Sequence, residues 1–179
     1  MKVLVTGATG YVGGRLVPRL IERTDCEVRV LARDSSRVDD RGWNGVEICE
    51  GDALEETDIQ RALEGVHTAY YLIHSMAAGE RTFASRDKDA AEIFGRVARQ
   101  QGVSRIIYLG GLGSSKDKNL SPHLSSRLET GDQLRRGGVP VIEFRAGMII
   151  GSGSLSFEML RYLSERVPVM VAPRWIKTR

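Results

Sequence analysis

The chain has 179 residues, 41% of them apolar and 27% charged, with a net charge of +3. That length and balance suit one ordinary globular domain with its own core. They exclude a membrane span, because no apolar run approaches roughly 20 residues, and a charge so small and scattered makes no case for nucleic acid as a partner.

The first fourteen residues, MKVLVTGATGYVGG, carry the strongest signal. A short apolar run, Val3-Leu4-Val5, ends in Thr6; glycines fall at 7, 10 and 13, and an apolar-periodic segment begins at Tyr11. The pattern predicts a strand, a tight turn and a helix. Glycine accepts positive φ at little cost and leaves no Cβ between a ligand and the backbone. A helix opening near Gly10 aims free N–H groups and its positive end at the turn, which suits a pyrophosphate. The spacing is G-x-x-G-x-x-G, not the general G-x-G-x-x-G fingerprint, but strand and helix flank it as that fingerprint requires. Thr6, Gly7, Thr9, Gly10, Tyr11, Val12 and Gly13 are the candidate nucleotide-binding residues. The alternative is a glycine-rich turn without a ligand. Lys2 precedes apolar residues, as in a signal peptide, but the run is short, broken by glycine and soon followed by Arg15, so no signal peptide is expected.

The helix is expected from about Gly10 to Arg23, kinked at Pro18. A strand follows over Glu27–Ala32, with Cys26 just before it. NAD-binding domains of this type place an acidic residue near the end of this strand to hold the ribose 2′-hydroxyl, whereas an arginine accommodates a 2′-phosphate. Ala32 and Arg33 stand there, and Ser35, Ser36 and Arg37 add donors, so the expected cofactor is NADP(H) rather than NAD(H). Asp34 could turn inward, and Arg33 could instead be a solvated loop residue.

Val46–Glu50 reads as a third strand that includes Cys49. The two cysteines have no metal-ligand spacing; they are expected to be buried thiols in a reducing cytoplasm, and no metal site is expected. Asp52, followed by Ala53, is placed to accept from an adenine amino group or simply to cap a turn. A helix over Glu55–Glu64 ends at Gly65. Val66–Ile73 is a near-continuous apolar run, as in a strand buried on both faces. His74, Ser75 and Met76 leave its C-terminal end, where such sheets bind ligands. His74 could titrate beside a nicotinamide or only hydrogen-bond the backbone.

A long helix is expected over Phe83–Gln101, with Ala90, Phe94, Val97 and Ala98 inward and its Arg and Asp residues outward. A strand over Val103–Leu109 leads to Gly110-Gly111 and a polar loop containing Ser114 and Ser115. Ser121-Pro122 is a cap followed by proline at the first helical position, predicting a helix over Ser121–Arg136. A sixth strand over Val139–Phe144, a glycine-rich loop over Arg145–Ser154 and a helix over Ser156–Arg166 follow. The Pro-bounded piece VPVMVAP and Arg174-Trp175 close the chain. Strand and helix alternate throughout, so the expected fold is a Rossmann-type α/β domain over residues 1–179, a doubly wound parallel sheet with helices on both faces.

These motifs resemble the short-chain dehydrogenase/reductase superfamily. TGATGYVG is similar to the T-G-x-x-G-x-x-G of its extended and atypical branches. LARD, GDALE, YYLIHSM, RIIYLGGLG and FRAGMIIGSGS look like its NmrA-like, nucleoside-diphosphate-sugar epimerase-like group. The resemblance spans the whole chain. It implies an NADP(H)-binding oxidoreductase or epimerase-like enzyme acting on a small molecule, with a homodimer through the two long helices common in the superfamily. The superfamily's catalytic pair is Tyr-x-x-x-Lys, the Tyr trading a proton and the Lys lowering its pKa and holding the ribose. Here the place reads His123-Leu-Ser-Ser-Arg127. The spacing of four keeps both side chains on one helix face. Histidine can donate or accept a proton near neutral pH, and arginine can bind ribose or phosphate oxygens. His123, Arg127 and His74 are therefore the candidate catalytic residues, with His123 the proton donor, Arg127 the ribose anchor and the loop over Gly147–Ser154 against the substrate. The alternative makes His123 a helix-start residue and Arg127 a surface charge. The superfamily's Ser at the end of the fifth strand is replaced by Gly110-Gly111. Extended members also continue past the sixth strand into a substrate domain, so the region from about 147 to Arg179 is expected to be the truncated start of one. The missing Tyr, Lys and Ser favour a second expectation, a nucleotide-sensing or assembly protein without chemistry. A purely structural role would need an empty nucleotide site.

Overall fold

The structure, a computed structural model, describes residues 1–74, 80–113, 120–147 and 149–167, apart from the side chains of 80–84. Ser75, Met76, Ser114, Ser115, VPVMVAP beyond Val167 and Arg174-Trp175 lie outside the described residues.

Six strands, β1 (Lys2–Thr6), β2 (Glu27–Ala32), β3 (Val46–Glu50), β4 (Thr68–Tyr71), β5 (Arg105–Gly111) and β6 (Val141–Ala146), form one sheet in the order β3-β2-β1-β4-β5-β6. Every pairing is parallel, with Val3 beside both Val28 and Thr68 at the centre. The helices between them are α1 (Gly13–Ile21), α2 (Ser36–Asp39), α3 (Glu56–Leu63), α4 (Glu80–Gln100) and α5 (Pro122–Arg136). The strand order reverses between β1 and β4, and in open α/β sheets that switch point opens a crevice at the carboxyl ends of the strands.

Period-two alternation divides the core. Val3, Val5, Val28 and Val30 pack with Val17 and Leu20 of α1 on one face. Leu4, Ala69, Tyr71, Ile106 and Tyr108 pack with Ile59, Phe94, Val97 and Leu134 on the other, under α3, α4 and α5. Tyr71 meets the edge of Phe94 at 4.9 Å between ring centres, a favoured aromatic geometry. Buried Arg29 on β2 ties this face together. Its guanidinium donates to the carbonyls of Arg61, Ala62 and Glu64 at 3.0, 2.8 and 2.9 Å, closing the end of α3, and to Glu47 at 2.7 Å.

The predicted bounds of β2 and β3 hold. The first helix begins at Gly13, although Gly14 N–H already donates to Gly10 carbonyl at 2.9 Å. It runs through Pro18. Cys26 and Cys49 are half-buried rather than buried, and burial still pushes the Cys49 thiol up. Ser121 caps α5 as predicted, its hydroxyl accepting from Leu124 N–H at 3.2 Å.

The chain forms two compact units, Met1–Ala146 and Gly147–Arg179. In the second, α6 (Leu155–Arg166) starts at Ser154, whose hydroxyl donates to Ile149 carbonyl at 2.8 Å. No helix among the described residues is long and apolar enough to cross a membrane, and no cluster there could hold a metal ion.

Candidate cofactor cleft and histidine pair

A cleft of about 660 Å³ opens at the carboxyl ends of β1 to β4. Its floor is the glycine turn. Gly7 has φ +65°, and a Cβ there would lie 2.6 Å from Leu72 carbonyl oxygen, so only glycine fits between β1 and β4. A Cβ on Gly13 would lie 2.4 Å from Gly7 carbonyl oxygen, so α1 can close on the turn only with glycine at its first residue. Gly7, Thr9 and Gly10 line the cleft. Thr6 lies below it and links the two strands, donating to Tyr70 carbonyl and accepting from Leu72 N–H, both at 3.1 Å. Tyr11, Val12 and Gly13 are not among the lining residues; Tyr11 carries the Arg15 guanidinium 3.8 Å over its ring.

One side wall holds Leu31, Ala32, Arg33, Asp34 and Arg37. Asp34 accepts from the N–H and hydroxyl of Ser36 at 3.1 and 2.6 Å. That contact anchors Ser36 at the start of α2, off the cleft lining, while Asp34 stays in the wall between Arg33 and Arg37. Farther along, Arg41 donates to Thr9 carbonyl at 2.7 Å, bracing the outer side of the glycine turn. Asp52, Ala53 and Leu54 form the next stretch of wall. Asp52 both lines the cleft and caps a turn, accepting from Leu54 N–H at 3.0 Å with one carboxylate oxygen. A glycine floor that a Cβ would fill, a helix opening on it and a two-arginine wall suit a dinucleotide bearing an extra phosphate.

The remaining wall is Leu72, Ile73 and His74, just past β4, and Arg86, Asp87 and Ala90 from α4. His74 does not spend its ring on the backbone. Its Nδ1 lies 3.1 Å from an Asp87 carboxylate oxygen and its Nε2 lies 3.1 Å from His123 Nδ1. The imidazole rings stand nearly perpendicular, 82° apart with centres at 4.6 Å. Asp87 is 4% exposed, contrary to the outward placement expected for the aspartates of this helix. The signal was present: 87, 90, 91, 94, 97 and 98 share one helical stripe, but the charge of Asp87 argued against reading it as part of that face. Ser126 of α5 donates to the same Asp87 oxygen at 3.5 Å.

His123 and Arg127 sit one turn apart on α5 and make different contacts. His123 reaches the cleft wall through His74. Partial burial, then the neighbouring His74 and Arg127, hold its imidazolium below the usual histidine range, with Asp87 pulling the other way. Arg127 does not line the cleft. Its guanidinium lies 5.2 Å from the Tyr108 ring centre, and its carbonyl accepts from the Tyr108 hydroxyl at 2.7 Å. Side-chain ends crowd the place of the absent Ser: a Cβ on Gly110 would meet a Glu143 carboxylate oxygen, and one on Gly111 would meet Leu124.

Residues 7–136 match the NAD(P)H-binding family. Sterol demethylase protein B of Methylococcus capsulatus is 35% identical over 125 residues, covering 64% of this chain and 35% of that protein. An NmrA-like family domain-containing protein of Dictyostelium discoideum is 26% identical over 155 residues, covering 83% of this chain and 50% of that one. The fold is shared with the Citrobacter triphenylmethane reductase complexed with NADP(H), at a TM-score of 0.72 and 22% identity, over 92% of this chain and 55% of the reductase. The chain thus spans half or less of the two curated relatives. It belongs to the NAD(P)H-binding family, in the NmrA-like group of atypical short-chain dehydrogenases/reductases.

Proposed function

We propose that the chain is the cofactor-binding part of an NADP(H)-dependent oxidoreductase or epimerase-like enzyme that works on a small molecule. The observation that carries this reading is the cleft itself: a glycine floor for the pyrophosphate, Arg33 and Arg37 on the wall where a 2′-phosphate would lie, and a histidine pair at the other end. When bound, the cofactor supplies a hydride. Gly7 and Gly10 admit the phosphates, Arg33 and Arg37 discriminate NADP(H) from NAD(H), and one oxygen of Asp52 remains to accept from adenine. His123 donates or accepts the proton at the substrate oxygen. Arg127 stays on Tyr108 and is not assigned to the ribose. The free cysteines accord with a cytoplasmic protein, and a homodimer through α4 and α5 remains part of the reading by analogy with the superfamily.

Calorimetric titration with NADPH and, separately, NADH tests the reading. Charge-assisted hydrogen bonds contribute about 1.5–3 kcal/mol, so Arg33→Asp should cost NADPH affinity about 10- to 100-fold and leave NADH nearly unchanged. Equal losses for both would remove Arg33 from phosphate recognition, and binding of neither by the parent chain would refute the cofactor assignment. A second reading, nucleotide sensing without chemistry, is favoured by the crowded Ser position at Gly110-Gly111. Oxidation of NADPH by a panel of aldehydes, ketones and quinones separates the two.

A further inference from the structure

We propose that Asp87, His74 and His123 form one proton-delivering unit, with Asp87 as a buried positioning residue and His123 Nε2 as the end that meets the substrate. The proposal deepens the oxidoreductase reading and rests on it only for the identity of the proton acceptor.

The geometry fixes the order of the groups. The carboxylate of Asp87 is acceptor-only when ionised, so the His74 nitrogen 3.1 Å away carries a hydrogen toward it. That assigns the proton of His74 to Nδ1 and turns Nε2 toward His123 Nδ1, 3.1 Å away. One hydrogen lies in that contact, donated by His123 Nδ1 while His74 is neutral and by His74 Nε2 once His74 is protonated. His123 Nε2 is then the nitrogen left facing away from the pair, on an exposed side chain. With one proton added, the contacts allow a single line of donors that ends on the Asp87 carboxylate. His74 then donates from Nδ1 to Asp87 and from Nε2 to His123 Nδ1, and His123 carries its hydrogen on Nε2.

Delivery is a concerted shift. The His123 Nε2–H bond breaks as a substrate oxygen takes that proton. The His74 Nε2–H bond breaks as its proton moves to His123 Nδ1. His74 ends neutral with Nδ1–H still on Asp87, and the unit has lost one proton and one positive charge. His123 gains one hydrogen and loses one, so it never carries a full charge in the field of Arg127. Hydronium or a buffer acid from solvent returns the proton to His123 Nε2, leaving water or the buffer base, and the shift runs backward.

Among the described residues, the charged groups facing the pair are Asp87 and Arg86 on α4 and Arg127 on α5. The phenols of Tyr71 and Tyr108 lie below and are pushed up by burial, so they stay neutral while histidines titrate.

The chain has three histidines, which makes NMR titration of the imidazole signals direct. His67, with Nδ1 at 2.9 Å from the Thr68 hydroxyl, is the internal control. In the parent protein the ring-nitrogen shifts should show His74 protonated at Nδ1, toward Asp87. Asp87→Asn should weaken that preference, lower the His123 midpoint and leave the His67 signals in place. His123→Gln, a change on an exposed side chain, should shift the signal of His74 Nε2, the nitrogen at the lost contact. A His74 tautomer unmoved in Asp87→Asn, or a His74 Nε2 signal indifferent to His123→Gln, would overturn the proposal. If Asp87→Asn does not fold, the His123→Gln result decides alone. Adding NADPH to the same samples keeps the two claims apart: an intact pair that never responds to NADPH would sink the cofactor reading and uphold the proton unit.

Discussion

Replacing Gly7 by alanine strikes the one point where the glycine turn, β4 and the cleft meet. Two separate costs are expected. A φ of +65° places any L side chain in the left-handed region, at about 1–2 kcal/mol. The new Cβ would also stand 2.6 Å from the oxygen and 2.8 Å from the carbon of Leu72 carbonyl. That backbone is held by its N–H bond to Thr6 and cannot swing aside as a side chain end would, so overpacking adds about 1–3 kcal/mol. The sum is about 2–5 kcal/mol, or roughly 5–20 °C in Tm for a chain of this size. Gly42 supplies the control. It has φ +64°, but nothing lies within 4 Å of its would-be Cβ. Gly42→Ala should therefore cost only the conformational part, about 1–2 kcal/mol. Urea unfolding of the two variants separates the terms, and calorimetry with NADPH should show weakened binding in Gly7→Ala alone, because Leu72, Ile73 and His74 line the cleft. Equal destabilisation by both substitutions, with NADPH affinity kept in both, would refute the claim that close approach rather than backbone conformation reserves position 7 for glycine.

Two further outcomes follow from buried polar groups. Arg29→Met removes the donor to the carbonyls of Arg61, Ala62 and Glu64 at the end of α3 and should destabilise by about 1–3 kcal/mol, as stranding buried acceptors does; Glu47→Gln, at a half-exposed partner, should cost far less in the same urea titration. Tyr108, fully buried, is pushed up to about 12 by burial. Its folded-state value lies above the ordinary tyrosine value near 10, so stability is complete below about pH 10 and is lost as pH rises from there toward 12. Tyr108→Phe should flatten that alkaline loss in thermal melts at pH 9 to 11; an unchanged slope would assign the loss to other groups.

The sheet was legible because its signals are local. Among the described residues, alternating or continuous apolar runs, glycine punctuation and one serine–proline cap set every strand and five of the six helices. The short α2 escaped because four residues carry no periodicity. The strand at Val66–Ile73 was read too long for an instructive reason. Its apolar run continues past the β4 ladder into Leu72 and Ile73, which cease to pair and become cleft wall. The floor of the site could also be read, since only glycine suits those backbone positions. The histidine pair could not. His74 and His123 are 49 residues apart, on elements that only the parallel topology brings together, and no spacing rule connects them. Asp87 was hidden by the assumption that charge means exposure. A buried carboxylate of this kind is retained only where a partner accepts it, and the partner here was invisible from the helix that carries it.

The departures from the superfamily's Tyr-x-x-x-Lys pattern form one consistent set. A tyrosine needs a nearby cation, because its phenol must be brought down from about 10 to act near neutral pH. A histidine at the same place already titrates near neutral, and a cation one turn away only disfavours its charged form. The residue four positions on is accordingly turned to another contact: Arg127 lies over the Tyr108 ring and its carbonyl takes the Tyr108 hydroxyl. What a histidine does need is a group to fix its tautomer and accept its charge. The chain supplies that from the opposite side, through His74 to Asp87 on α4. The serine that would orient substrate beside a phenol is absent too, and the side-chain ends of Glu143 and Leu124 crowd Gly110 and Gly111. On the proposed reading, Tyr to His, Lys to Arg and Ser to Gly describe a single exchange, in which the electrostatic support of the proton donor moves from a cation on α5 to a carboxylate on α4.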